Sequence, residues 1–117
     1  MLELSHKNMI IWQKSIKLVK EVYKITDQLP KEERFGLVSQ LRRAAVSIPS
    51  NISEGEARRT SKEKRRFYEI ACASAVEIDA QIEIALELNF LNLQDVQNLS
   101  SLLNECFAML SKLKKTR

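Results

Sequence analysis

The chain has 117 residues, 44% of them apolar and 29% charged, with two glycines, two prolines and a formal net charge of +4. That length suits one domain with one core, and that composition excludes a disordered, collagen-like or disulfide-stapled polypeptide. The apolar run Met9-Ile10-Ile11 is too short for a signal-peptide core or a membrane span, so a cytoplasmic protein without membrane contact is expected.

No alternating apolar run bounded by turn residues marks a strand, and no Asn-Gly or Asp-Gly pair marks a hairpin, so the chain reads as all-α. The first helix is predicted from about Asn8 to Gln28 and carries two apolar seams. One is Met9, Trp12, Ile16, Val19 and Tyr23; the other is Ile11, Leu18, Val22, Ile25 and Leu29. A single core needs one stripe. Pro30 closes the helix, and Lys31, Glu32 and Glu33 form a turn.

The second helix is predicted from about Phe35 to Ala57. Leu37, Leu41, Ala44, Ile48, Asn51 and Gly55 recur at steps of four and three, straight through Pro49. Proline has no N–H for the carbonyl of Ala45, which predicts a bend, with Ser47, Ser50, Asn51 and Ser53 near enough to serve loosened backbone groups. Gly55 is either near a C-terminal cap or a close packing point.

Thr60 and Glu63 form a capping-box pattern at the start of the third helix. Phe67, Ala71, Ser74, Ile78, Gln81, Ala85 and Leu88 form its seam, flanked by Tyr68, Cys72, Ala75, Ile82 and Leu86. Asn89 can close this helix in the left-handed conformation and Asn92 can cap the next, predicted from about Leu93 to Lys114. Its seam is Val96, Leu99, Leu103, Cys106, Leu110 and Leu113. Links this short predict an antiparallel up-down-up-down four-helix bundle, one domain over residues 1–117, with its second helix bent at Pro49. Asn51, Ser74 and Gln81 set polar groups in apolar rows, where hydrogen bonds would fix register.

Charge is unevenly spread. From Phe67 to Ser111 there are seven carboxylates and no Lys or Arg, which leaves a net +11 for the rest of a chain totalling +4. Arg58, Arg59, Lys62, Lys64, Arg65 and Arg66 concentrate that charge where cations oppose the positive end of the third helix. These six are the candidate nucleic-acid contacts, made to phosphates with weak sequence specificity. Arg42 and Arg43 are further candidates, Arg43 being equally suited to pair with Glu54 or another carboxylate inside the assembly. Phe67 and Tyr68, the nearby aromatics, fit core positions, so base stacking is poorly supported. The surplus apolar faces predict a homo-oligomer, with Trp12 and Tyr23 as interface anchors. The alternative is a protein-interaction scaffold in which the basic cluster meets an acidic block on a neighbouring subunit or a polymerase-like partner.

Catalysis finds no support. His6 is the only histidine and stands near a terminus expected to fray, so no Ser-His or Cys-His pair can form. Glu-x-x-His pairs, zinc spacings and Gly-rich phosphate loops are absent; no metal and no cofactor are expected. Cys72 and Cys106 fit buried reduced thiols.

The run from Gln40 to Gly55, with Ser47-Ile48-Pro49-Ser50-Asn51-Ile52 at its centre and Arg58 after it, closely resembles the signature of the 23S rRNA-intervening sequence proteins, encoded within bacterial large-subunit ribosomal RNA genes. The likeness extends to Trp12-Gln13-Lys14, to Pro30-Lys31-Glu32-Glu33-Arg34 and to Ala71, Ser74 and Glu77. That family is in turn similar to the accessory proteins of diversity-generating retroelements, which work beside a reverse transcriptase. The resemblance implies a four-helix bundle, often a pentamer, without known enzymatic activity and with a suspected role in binding RNA or DNA. Cys72-Ala73 stands where many members have Arg-Gly, which removes a positive charge there.

Overall fold

Four long helices dominate the computed structural model, which describes residues 1–116. They are α1 (Ile10–Thr26), α2 (Leu37–Glu56), α3 (Ser61–Glu87) and α4 (Gln97–Thr116), with 3₁₀ turns at Ser5–Asn8 and Lys31–Glu33 and no strand among the described residues. Each helix packs on the next in sequence and α4 returns to α1, closing a four-helix bundle in which α1 does not touch α3 and α2 does not touch α4. Trp12 meets Ser53 and Thr26 meets Arg42 between α1 and α2; Ser47 meets Ser74 and Gln40 meets Gln81 between α2 and α3. In both pairs of contacts the residue number rises along one helix as it falls along the other.

The second seam of α1 is the buried one: Ile11, Leu18, Val22 and Ile25 enter the core with Leu41, Ile48, Ile52, Ile78, Leu99 and Leu110. Each such side chain withdrawn from water contributes roughly 1.5–3 kcal/mol. The first seam of α1 stays at the surface, with Trp12, Ile16 and Val19 half-buried and Tyr23 exposed. In α3 the buried row extends from Tyr68 to Ala85, while Leu88, assigned to the seam by spacing, is exposed.

Pro49 is buried within a continuous α2. Around it, the Asn51 amide donates to the Ser47 carbonyl at 2.7 Å and the Ser53 hydroxyl donates to the Pro49 carbonyl at 2.9 Å. Ser47 turns the other way, since its hydroxyl accepts from Ser74 at 2.9 Å and from Asn51 at 2.9 Å. The buried Gln81 donates to Gln40 at 3.0 Å. These bonds tie α2 to α3 in one register, because a slip would strand polar groups in the interface.

Besides α1, which begins at Ile10 rather than Asn8 because residues 5–8 form a 3₁₀ turn, two helix starts differ from expectation. At the first, α2 begins two residues late, its Leu37 amide donating to the Glu33 carboxylate at 3.3 Å after the turn. A longer delay occurs at α4, which begins at Gln97 rather than Leu93. Asn92 and Asp95 exchange side-chain bonds with each other's amides, both 2.9 Å, and hold residues 92–95 as a separate turn. Bonds from Asp95, Val96 and Gln97 reach back three residues, and the four-residue spacing starts only where Ser100 reaches Val96.

Candidate nucleic-acid interface

The basic cluster sits where α2 hands over to α3. Gly55 lets the two helices close on each other: a Cβ there would lie 2.8 Å from Cε1 of Tyr68, a buried ring. Further along, Thr60 opens α3 as its N-cap, its hydroxyl oxygen accepting from the Glu63 amide at 3.1 Å. Glu63 returns its carboxylate to the Thr60 hydroxyl at 3.2 Å, which completes the local capping with side chains. Arg58 and Arg59 thus stand in the link, and Lys62, Lys64, Arg65 and Arg66 in the opening turns of α3.

The six cations divide. Arg58 lies over the Phe67 ring, 4.7 Å from its centroid, and 3.6 Å from the Glu54 carboxylate. Lys64 donates to the Glu56 carbonyl at 3.2 Å, so it serves the C-terminus of α2, where a cation is favoured. Arg65 is also engaged within the protomer. Arg59, Lys62 and Arg66 are exposed and make no ion pair or hydrogen bond among the described residues. They are the part of the cluster open to a ligand. The pairing suggested for Arg43 with Glu54 does not form, because Glu54 meets Arg58; Arg43 is exposed and unpaired among the described residues.

Folding adds cations that the run in sequence does not contain. The C-terminal turns of α4 lie along the N-terminal half of α3, with Cys72 against Ser111 and Lys114. Lys112 joins Met9, Ile10 and Ile11 of α1 around a shallow cleft, and Lys115 is exposed nearby. Lys7 stands at the same end, in the turn before α1. These lysines suit the negative end of the α4 dipole, so their placement is favourable where that of Lys62 to Arg66 is not. The lysine run at residues 112–115, taken together with a four-helix topology, was the available signal for them.

The aromatics are committed elsewhere. Tyr68 is fully buried, its hydroxyl lacking a hydrogen-bond partner among the described residues, and Phe67 is covered by Arg58. His6, expected to fray, is instead buried in the first 3₁₀ turn with its ring edge-on to Trp12 at 5.3 Å. The Trp12 indole donates to the Ser53 hydroxyl at 3.0 Å, and the Arg42 guanidinium covers the Tyr23 ring at 4.4 Å while pairing with Asp27 at 3.0 Å. Trp12, Ile16 and Val19 face Val46 and Pro49 across an open groove of about 320 Å³.

Both thiols are buried and free. Burial pushes Cys106 up to about 11; burial also raises Cys72, with the nearby Lys114 charge pulling it partly back. Neither is a ready nucleophile. Among the described residues no three His, Cys, Asp or Glu side chains are grouped to hold a metal ion, and no helix is long and apolar enough to cross a membrane.

A comparison with curated proteins finds no match. Among solved structures, the fold is similar to the crystal structure of a protein of unknown function from the S23 ribosomal protein family of Bacteroides thetaiotaomicron VPI-5482, at a TM-score of 0.83 and 20% identity over 91% of this chain and 99% of that one. The family model for the 23S rRNA-intervening sequence protein matches residues 7–112, which takes in three helices whole and all but the last turn of α4, with the Pro49 segment and the basic link, and the chain therefore belongs to that family.

Proposed function

We propose that this protein is a non-enzymatic, homo-oligomeric nucleic-acid-binding module of the cytoplasm, gripping phosphates of RNA or DNA with the basic end of its bundle and reading little sequence. The observation that carries the reading is the set of cations on that end without an ion pair among the described residues: Arg59, Lys62 and Arg66 from the α2–α3 link and α3, with Lys112 and Lys115 from α4. Phosphate contacts of this kind supply sequence-independent affinity, and repetition in an oligomer multiplies modest sites. Burial of Tyr68 and the Arg58 guanidinium over Phe67 support weak specificity, since neither ring beside the basic cluster is free to stack on a base. Exposed Ile10, Val76, Ile84 and Leu88, with the half-covered Trp12 seam, support assembly, with five subunits as the family likeness implies.

The test uses the Arg59→Ala, Lys62→Ala, Arg66→Ala triple variant, whose sites make no internal bond. Binding to a single-stranded RNA and to a DNA duplex is measured across a salt series. The expected result is weaker binding and a log–log salt slope lower by roughly two to three, since each phosphate left unneutralised removes about 0.7–0.9 from it. Unchanged affinity and slope would remove this end as the binding surface.

A scaffold reading has one observation in its favour: Asp79, Glu83 and Glu87 on α3 have no cationic partner among the described residues. Salt separates the two readings. Loss of bound nucleic acid from an intact oligomer favours the first, and dissociation of the oligomer itself favours the second.

A further inference from the structure

Two open apolar grooves lie on opposite flanks of the bundle, and their rims carry opposite charge. One lies between α1 and α2, floored by Trp12, Val19 and Pro49, with a volume of about 320 Å³. Lys20 stands one turn from both Ile16 and Tyr23 on its α1 side, and Arg43 one turn before Val46 on its α2 side; both are exposed and unpaired among the described residues. The carboxylates nearest its ends are already taken, Asp27 by Arg42 and Glu54 by Arg58. The second groove lies between α3 and α4, about 230 Å³, with Val76 and Phe107 exposed at its mouth and Asp79 on its wall. It continues toward Glu83 and Leu93 in a stretch that shares Asp79 and Ser100. No Lys or Arg occurs anywhere between Phe67 and Ser111.

Because α1 touches only α2 and α4, and α3 only α2 and α4, the α1/α2 seam is diagonally opposite the α3/α4 seam. Both flanks therefore carry an apolar strip, and each has the rim charge that the other lacks. We infer that the α1/α2 flank of one copy docks on the α3/α4 flank of a second copy, with Lys20 and Arg43 meeting Asp79 and Glu83. The pairing is heterologous: each copy presents one face of each kind, so it propagates around a ring or along a filament instead of ending at two subunits. Like-charge rims discourage the two symmetric pairings, basic flank on basic flank and acidic on acidic. This inference rests on the oligomer part of the proposed function and leaves the basic end open to its ligand.

Charge reversal tests it on nuclease-treated protein, by sedimentation velocity and light scattering at micromolar concentration. One variant carries Asp79→Lys and Glu83→Lys; the other carries Lys20→Glu and Arg43→Glu. All four sites are exposed, and circular dichroism checks that the helices persist. Each variant alone is expected to associate at least tenfold more weakly than the wild type. A chain with all four substitutions is expected to regain assembly, because every reversed face then finds its complement. If the wild type assembles and neither reversal weakens it, or if the four-substitution chain stays dissociated, the face pairing is wrong while the oligomer stands. A monomeric wild type would overturn both.

Discussion

Gly55 is packed against the ring of Tyr68 so closely that a methyl group at position 55 would lie 2.8 Å from Cε1 and 3.2 Å from Cζ. Tyr68 is fully buried and has no room to swing aside. This contact sets how near α2 and α3 come just before the basic link, and so where Arg58 and Arg59 emerge.

Gly55→Ala is therefore expected to destabilise the fold. In an open helix the change would gain about 1 kcal/mol of propensity. Here overpacking outweighs it, for a net loss of about 1–3 kcal/mol. Thermal unfolding measures this, and a variant as stable as the wild type would refute the contact.

The Tyr68 hydroxyl is buried without a partner among the described residues. Leaving such a group dry costs about 1–3 kcal/mol, and removing it recovers part of that. Tyr68→Phe is expected to match or exceed wild-type stability in chemical denaturation, and a loss of more than about 1 kcal/mol would show that the hydroxyl is bonded.

Ser53 links two elements, accepting from the Trp12 indole at 3.0 Å and donating to the Pro49 carbonyl at 2.9 Å. Ser53→Ala leaves the Trp12 indole N–H unmatched in a half-buried place and removes the side-chain bond to the Pro49 carbonyl, at a cost of about 1–2 kcal/mol. Tryptophan emission, which reports Trp12 alone, should shift to longer wavelength as the indole turns to water. An unshifted spectrum with unchanged stability would count against the bond.

Cys106 is held as the neutral thiol by burial, its pKa raised from 9.0 to about 11. A raised folded-state value means that the stabilising contribution is complete below pH 9 and is lost as pH climbs toward 11. Native protein is expected to alkylate slowly at about pH 8, below even the ordinary thiol value. Stability should fall between pH 9 and 11, and a Cys106→Ala variant, though less stable at neutral pH, should fall less. Equal slopes for the two proteins would contradict the assignment.

The helices were legible because their apolar spacing is long and regular, and Thr60 and Asn89 mark ends by local chemistry: Thr60 takes the Glu63 amide and Asn89 has a φ of 60°. The start of α4 was not, because Asn92 and Asp95 bond to each other in a turn whose residues also suit a helix. The basic cluster could be found as a run of charge, but its division into held and open cations could not. That division depends on Glu54, the Glu56 carbonyl and Phe67, all placed by the close passage at Gly55. The C-terminal lysines joined the cluster only through the return of α4, and His6 escaped fraying through the ring of Trp12.

The bundle measures 44 × 29 × 21 Å, with Arg59, Lys62, Arg66 and Lys115 toward one tip and Glu83, Glu87 and Asp95 toward the far one. Such an elongated body has a permanent electrostatic moment along its length. A polyanion would exert a torque on it before touching it, turning the cationic tip forward at separations of about a Debye length, ~8 Å at physiological ionic strength. Under the proposed function, orientation during diffusion is then part of what the sequence encodes, ahead of any phosphate contact.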